Sequence, residues 1–171
     1  MGITGFPRSD RRTSIRSRPS FKVLQRVIEY RLAETLDALK LTKYSPERMM
    51  PEEFYNYLTG ETPTGDTTTI LDVLDSEYLM VHEAVEISEL KKMGIPVNDK
   101  TTMSAFPKVL EAHCTATEIE LNYARLRKNK KWLKERLETA KVWLDDDALP
   151  PHLAQRITEI MGRASRYLGE R

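Results

Sequence analysis

Residues 104–144 read SAFPKVLEAHCTATEIELNYARLRKNKKWLKERLETAKVWL, and the spacing in this stretch decides the fold class. Val109, Ala112, Ala116, Ile119, Tyr123, Leu126, Lys130, Leu133, Leu137, Ala140 and Leu144 follow one another in alternating steps of three and four. Residues at that period share one face of a helix, and the seven-residue register is that of a coiled coil. Lys130 is the single charged interruption of the seam. Ser104 can cap the start, with Pro107 still in the first turn. Asp145, Asp146 and Asp147 close the end, because acids disfavour a helix C-terminus. Asn129 is only a weak breaker, so the spacing predicts one helix over 104–144, about 60 Å long at 1.5 Å per residue.

The flanking sequence is also helical. Ser20 is a good cap for Phe21, Leu24, Ile28, Leu32, Leu36 and Leu39, an apolar stripe ending near Leu41. Ser45-Pro46-Glu47 predicts the opening of a short helix to Leu58, and the Gly/Pro cluster from Gly60 to Asp66 predicts a loop. A third helix is expected over 68–93, with Ile70, Leu74, Val81 and Val85 on its core face. It ends at Lys91, Lys92, Gly94 and Pro96, in the order that favours a left-handed cap and forbids continuation. Pro150-Pro151 opens the last helix, in which Leu153, Ile157, Ile160, Ala164 and Tyr167 form a stripe. No alternating β-branched run occurs. The expectation is an all-α protein: a four- to five-helix bundle around one long coiled-coil-like helix. Residues 1–19 form a basic flexible arm and residues 20–171 a single helical domain.

Composition narrows the function classes. Of 171 residues, 40% are hydrophobic and 31% charged, a globular balance. No apolar run reaches the ~18 residues of a membrane span, and no apolar segment follows the basic N-terminus as in a signal peptide. Cys114 is the only cysteine, which excludes an intrachain disulfide and a cysteine-rich zinc site; a cytoplasmic protein is expected. The net charge of +1 hides an asymmetry. Arg8, Arg11, Arg12, Arg16, Arg18, Lys22 and Arg26 face Asp10 alone at the N-terminus, so the remainder is net acidic.

Two constellations carry chemistry. In the third helix Asp75, His82, Glu86 and Glu89 fall on one strip, with His82 and Glu86 four apart and therefore neighbours. His113 and Glu120 share a strip of the fourth helix. If the strips face each other, His82, Glu86, Glu89, His113 and Glu120 could hold a divalent metal between helices, since imidazole and carboxylate suit such ions. Glu83 points away from this strip. Neither the Glu-x-x-His spacing of di-iron bundles nor His-Glu-x-x-His is present. Glu83, Glu86 and Glu89 resemble the first half of the Mg²⁺-holding pattern of MazG-type nucleotide pyrophosphohydrolases. The second half, Glu-x-x-Asp on the next helix, is missing, because Glu118 and Glu120 are followed three residues on by Leu121 and Tyr123. Membership of that family is therefore not assigned.

The second constellation is basic. Arg127, Lys130, Lys131 and Lys134 share a helix face, and with Arg11, Arg12, Arg16 and Arg18 of the arm they are candidates for phosphate-backbone contact, with Trp132 available to stack on a base. A long seam only partly covered by one small domain would also want a partner helix. The leading expectation is a helical interaction protein, a homo-oligomer presenting helix surfaces and the arm to a protein or nucleic-acid partner, without membrane contact. The alternative is a metal-dependent hydrolase of a phosphorylated small molecule. It requires the strips of the third and fourth helices to meet.

Overall fold

The structure, a computed structural model, describes residues 18–62 and 67–169. Eight helices run through them: α1 (Phe21–Thr42), α2 (Pro51–Thr59), α3 (Ile70–Asp75), α4 (Glu77–Lys92), α5 (Thr101–Ser104), α6 (Lys108–Leu126), α7 (Lys130–Leu144) and α8 (Pro151–Leu168). The described residues hold no strand. No described helix is long and apolar enough to cross a membrane. The arm expected over 1–19 lies almost wholly outside the described residues.

The single long helix is not formed. Its stretch divides into α5, α6 and α7, and the turn between α6 and α7 has a clear local cause. Lys128 takes the left-handed conformation at φ 57°. The Asn129 backbone N–H then bonds the Ala124 carbonyl at 2.9 Å, and its side chain caps α7 by accepting from the Trp132 N–H at 3.0 Å. Asn129 is thus the N-cap of a new helix, a role its short polar side chain fills well. The apolar seam survives the break by folding back on itself. Val109, Ala112, Ala116, Tyr123, Leu133, Leu137 and Ala140 are all buried within the chain, while Leu126 and Lys130, at the turn, are exposed. The seam is covered by the chain's own helices, so it no longer argues for a second copy.

The expected third helix also divides, at Ser76. This residue is extended, its N–H bonds Val73, and its hydroxyl caps α4 by accepting from the Leu79 N–H. The C-terminus of α4 forms as its sequence predicts. Gly94 has φ 74°, Gly94 N–H bonds the Lys91 carbonyl, and Ile95 N–H bonds that of Leu90. Ser45-Pro46-Glu47 does not start a helix. The Ser88 hydroxyl accepts from the Glu47 N–H and Lys91 donates to the Arg48 carbonyl, which ties 45–50 to α4 as an irregular strap until Pro51 opens α2. Leu36, expected in the α1 stripe, is exposed, and Thr35 is buried in its place.

Helix α4 is the axis of the molecule. It packs chiefly on α6 and also on α1, α2 and α3, while α8 covers α6 and α7. Enclosed on several sides, α4 buries almost every residue from Tyr78 to Leu90. Helices buried all round are normally apolar all round. This one places His82, Glu83, Glu86 and Ser88 in the interior with no exposed surface.

Candidate metal centre

Partners across the α4–α6 interface run in opposite order. Tyr123 pairs with Glu77, Glu120 with His82, and His113 with Glu86. The two helices are therefore antiparallel, and the i, i+4 pair on α4 meets the i, i+7 pair on α6 face to face. His82, Glu86 and Glu120 have no exposed surface and His113 almost none.

The network has an internal logic that starts at Arg136 of α7. Its Nε and Nη2 lie 2.7 and 2.8 Å from the Glu120 carboxylate, and Trp132 Nε1 donates to the same group at 2.6 Å. Burial alone would raise the Glu120 pKa. The Arg136 charge, and the hydrogen bond and charge of His82, outweigh it and hold the carboxyl at about 2. An ionised carboxylate can only accept, so His82 Nδ1, 2.7 Å from Glu120 Oε2, carries a proton. The other ring nitrogen, Nε2, is left to face the interior.

Three atoms converge there. His82 Nε2 is 3.0 Å from His113 Nδ1 and 3.3 Å from Glu86 Oε2, and His113 Nδ1 is 2.8 Å from Glu86 Oε2. Tyr57 donates to the other Glu86 oxygen, Oε1, which turns Oε2 toward the imidazoles. No lysine or arginine pairs with Glu86 among the described residues. Its neighbours are a phenol and two imidazoles. Burial pushes the Glu86 pKa up, but the hydrogen bonds from His113 and His82 prevail and hold it well below the ordinary carboxylate range. Burial pushes His113 down, to about 4, against the opposing pull of Glu86.

These residues fit a metal. First-row ions bind imidazole nitrogen and carboxylate oxygen at about 2.0–2.2 Å. At that bond length, neighbouring ligand atoms stand roughly 3.0 Å apart in octahedral geometry and roughly 3.4 Å apart in tetrahedral geometry. The three separations, 2.8, 3.0 and 3.3 Å, fall in or near this interval. His82, Glu86 and His113 are also the group whose ligand atoms all lie within 4.8 Å of one another among the described residues. Glu120, on the far nitrogen of His82, stands where metalloproteins place the carboxylate that orients a ligating histidine.

Not every expected residue joins the cluster. Glu89 lies two turns of backbone hydrogen bonds away from the pair's first member and is held by Tyr44 and Lys92, 2.5 and 3.0 Å from its Oε1. Asp75 ends α3, on the other side of the Ser76 break. Glu83, expected to point away from the strip, is nonetheless fully buried, because α4 is packed on that side too. Tyr57, Trp132 and Arg136 were missed as site residues. Nothing local marks them, since they reach the cluster from two other helices.

The basic candidates behave differently. Arg11, Arg12 and Arg16 lie outside the described residues. Arg18 is exposed and donates to the Thr59 carbonyl. Arg127, Lys130, Lys131 and Lys134 are exposed, with Arg127 and Lys131 each 3.8 Å from a glutamate. Trp132, expected to stack on a base, instead stacks on Tyr78 with ring centroids 4.8 Å apart and spends its N–H on Glu120. Cys114 is buried, and that burial pushes its thiol up to about 12, away from reactive chemistry. No protein-family model matches the chain, and neither a curated protein nor a solved structure gives a significant match, so the functional reading rests on this geometry.

Proposed function

We propose that the chain is a metal-dependent hydrolase in which His82 Nε2, His113 Nδ1 and Glu86 Oε2 hold one divalent transition-metal ion. The observation that supports this reading is the convergence of three potential ligand atoms at 2.8–3.3 Å in the interior. Without metal, His113 Nδ1–H can donate to Glu86 Oε2 beside the bare His82 Nε2, and a cation would take the place of that one proton. With the His113 proton moved to Nε2, the cation would accept a lone pair from each of the three atoms.

Two histidines and one carboxylate supply three protein ligands. Catalytic zinc sites have that number and keep a further position for water or substrate, whereas structural sites close with four. A bound ion of this kind lowers the pKa of its water to about 7 and so supplies hydroxide at neutral pH. The residues around it have separable tasks. Arg136 and Trp132 keep Glu120 ionised and in place, Glu120 fixes the His82 tautomer, and Tyr57 orients Glu86.

The test is metal content by elemental mass spectrometry after zinc loading and desalting, with circular dichroism as the check on folding. Wild type should retain about one ion per chain; His82→Gln and His113→Gln should lose it, and Glu89→Gln should keep it. A folded wild-type protein that retains no zinc, or histidine variants that retain it undiminished, would refute the reading.

A further inference from the structure

We infer that the exposed basic corner where α6 turns into α7 binds the phosphate backbone of duplex nucleic acid without reading its sequence. None of the residues involved belongs to the buried cluster, so the inference stands apart from the metal reading.

Residues 125–134 read RLRKNKKWLK. The turn at Lys128-Asn129 sorts this run into two sides. Leu133 is buried, Trp132 stacks on Tyr78, and Asn129 Nδ2 donates to the Tyr78 hydroxyl at 3.0 Å, so the apolar and amide groups are drawn inward. Arg125, Arg127, Lys128, Lys130, Lys131 and Lys134 are left exposed on the two helix ends that meet there. The last turn of α8 comes to the same corner. The Tyr167 hydroxyl donates to the Arg125 carbonyl at 3.4 Å, and the adjacent Arg166 is exposed.

Pairing within the chain does not account for these charges. Arg127 and Lys131 each stand 3.8 Å from a glutamate, and Arg125 donates to the Asn122 side chain at 2.9 Å. Arg125, Lys128, Lys130, Lys134 and Arg166 form no ion pair among the described residues. Local stability does not account for the lysines either. Lys128 has φ 57°, a conformation that favours Gly or Asn and strains a longer side chain. The first turn of α7 opens with Lys130 and Lys131 and contains no acid, although the positive end of a helix favours acids over cations. Lys128, Lys130 and Lys131 thus all depart from local preference in one short stretch, which points to a role in binding rather than in folding.

The chemistry of the corner selects the partner. Its exposed groups are cations, with Leu126, 40% exposed, as the one large apolar side chain among them. An anionic membrane surface is held by cations together with an apolar or aromatic face, which this corner lacks. A single strand is held by aromatic rings on which bases stack, and Trp132 is already stacked on Tyr78. A duplex backbone asks only for cations, because each neutralised phosphate releases condensed counterions. Most of the cations here are lysines, compact point charges on flexible stems, which suit phosphates better than base edges. Binding that ignores sequence follows.

The experiment is fluorescence anisotropy of a labelled mixed-sequence DNA duplex titrated with the full, zinc-free chain, at salt concentrations from about 50 to 200 mM. It is repeated with a triple variant, Lys128→Asn, Lys130→Gln and Lys134→Gln, in which Asn suits the left-handed turn. A control variant, Lys40→Gln with Lys43→Asn, removes exposed cations at the end of α1. Circular dichroism checks that each chain is folded. Wild-type affinity should fall steeply with salt. The triple variant should bind at least about tenfold more weakly, with the slope of log affinity against log salt reduced by roughly 2–3, at about 0.9 per lost phosphate contact. The control should match wild type. Absence of duplex binding at the lowest salt overturns the inference. So does a folded triple variant with unchanged affinity and slope, which would assign binding to residues elsewhere in the chain, or an equal loss in the control. Phosphatidylserine vesicles are titrated in parallel, and retention by vesicles but not by duplex also overturns it.

Discussion

Arg136 and Lys131 stand five residues apart on one helix, in the same run of basic residues, and the fold treats them in opposite ways. The Lys131 side chain is 87% exposed and lies 3.8 Å from Glu135. Arg136 is 13% exposed and grips the buried Glu120 through two nitrogens. The contrast extends to the two clusters they belong to. The basic face from Arg127 to Lys134 is a solvated surface whose charges are largely screened. The cluster of His82, Glu86, His113 and Glu120 is an interior network in which each group determines the state of the next. Charge density along the chain does not separate the two kinds of cluster; access to water does. In low dielectric, a missing partner leaves a desolvated charge, whereas on the surface water replaces it.

The comparison can be broken most sharply at Arg136. Arg136→Met keeps much of the packing volume and removes the cation from Glu120, and a buried ion pair cut on one side costs about 3–5 kcal/mol. Denaturant unfolding of metal-free protein reads this loss, and a value within 1 kcal/mol of wild type would show that Glu120 does not depend on Arg136. The acid limb sharpens the same point. Glu120 has a folded pKa of about 2 against an ordinary 4.5. Its contribution is therefore complete above pH 4.5 and is lost as the pH falls toward 2. Replacing Arg136 should flatten this part of the wild-type profile.

Zinc should act next in size. An ion that binds only the folded chain stabilises it by about 2.7 kcal/mol at a free concentration one hundred times its Kd. Thermal melts with and without zinc should show the rise in wild type and not in His113→Gln. Trp132→Phe keeps the stacking on Tyr78 and deletes one donor to Glu120, for an expected loss of about 1–3 kcal/mol. A neutral result there would mean that the two Arg136 bonds suffice. Lys131→Ala should be the quietest change, within about 0.5 kcal/mol. A larger effect in the isolated chain would show that the basic face is not simply solvated.

The helical class was legible because it depends on spacing alone. The stripe of α8, the Pro150-Pro151 start and the Gly94 stop are local signals, and each formed in place. The breaks at Ser76 and at Lys128-Asn129 were harder to read. Neither site carries the proline or glycine that usually ends a helix. Each break is a polar side chain capping a new helix, and the same residue types are tolerated inside continuous ones. The proposed ligand cluster was partly legible. His82 with Glu86, and His113 with Glu120, share strips by helical geometry, but Glu89 satisfies the same periodicity and is held elsewhere by Tyr44 and Lys92. Periodicity assigns a face, and only packing says how far along that face the neighbouring helix contributes ligands.

By itself the sequence determined that the chain is helical, where α1 and α8 begin and end and where α4 stops, and which pairs of potential ligands lie on common faces. These follow from backbone geometry and capping within a few residues. Only the tertiary structure decided that α4 would be enclosed on nearly every side, that α6 would run antiparallel to it, and that α7 would turn back to bring Arg136 to Glu120. Those outcomes depend on which apolar surfaces bury one another across tens of residues. The same burial that forms the core strips His82, Glu86 and His113 of water and leaves them to one another and to the neighbouring Glu120 and Tyr57 as partners.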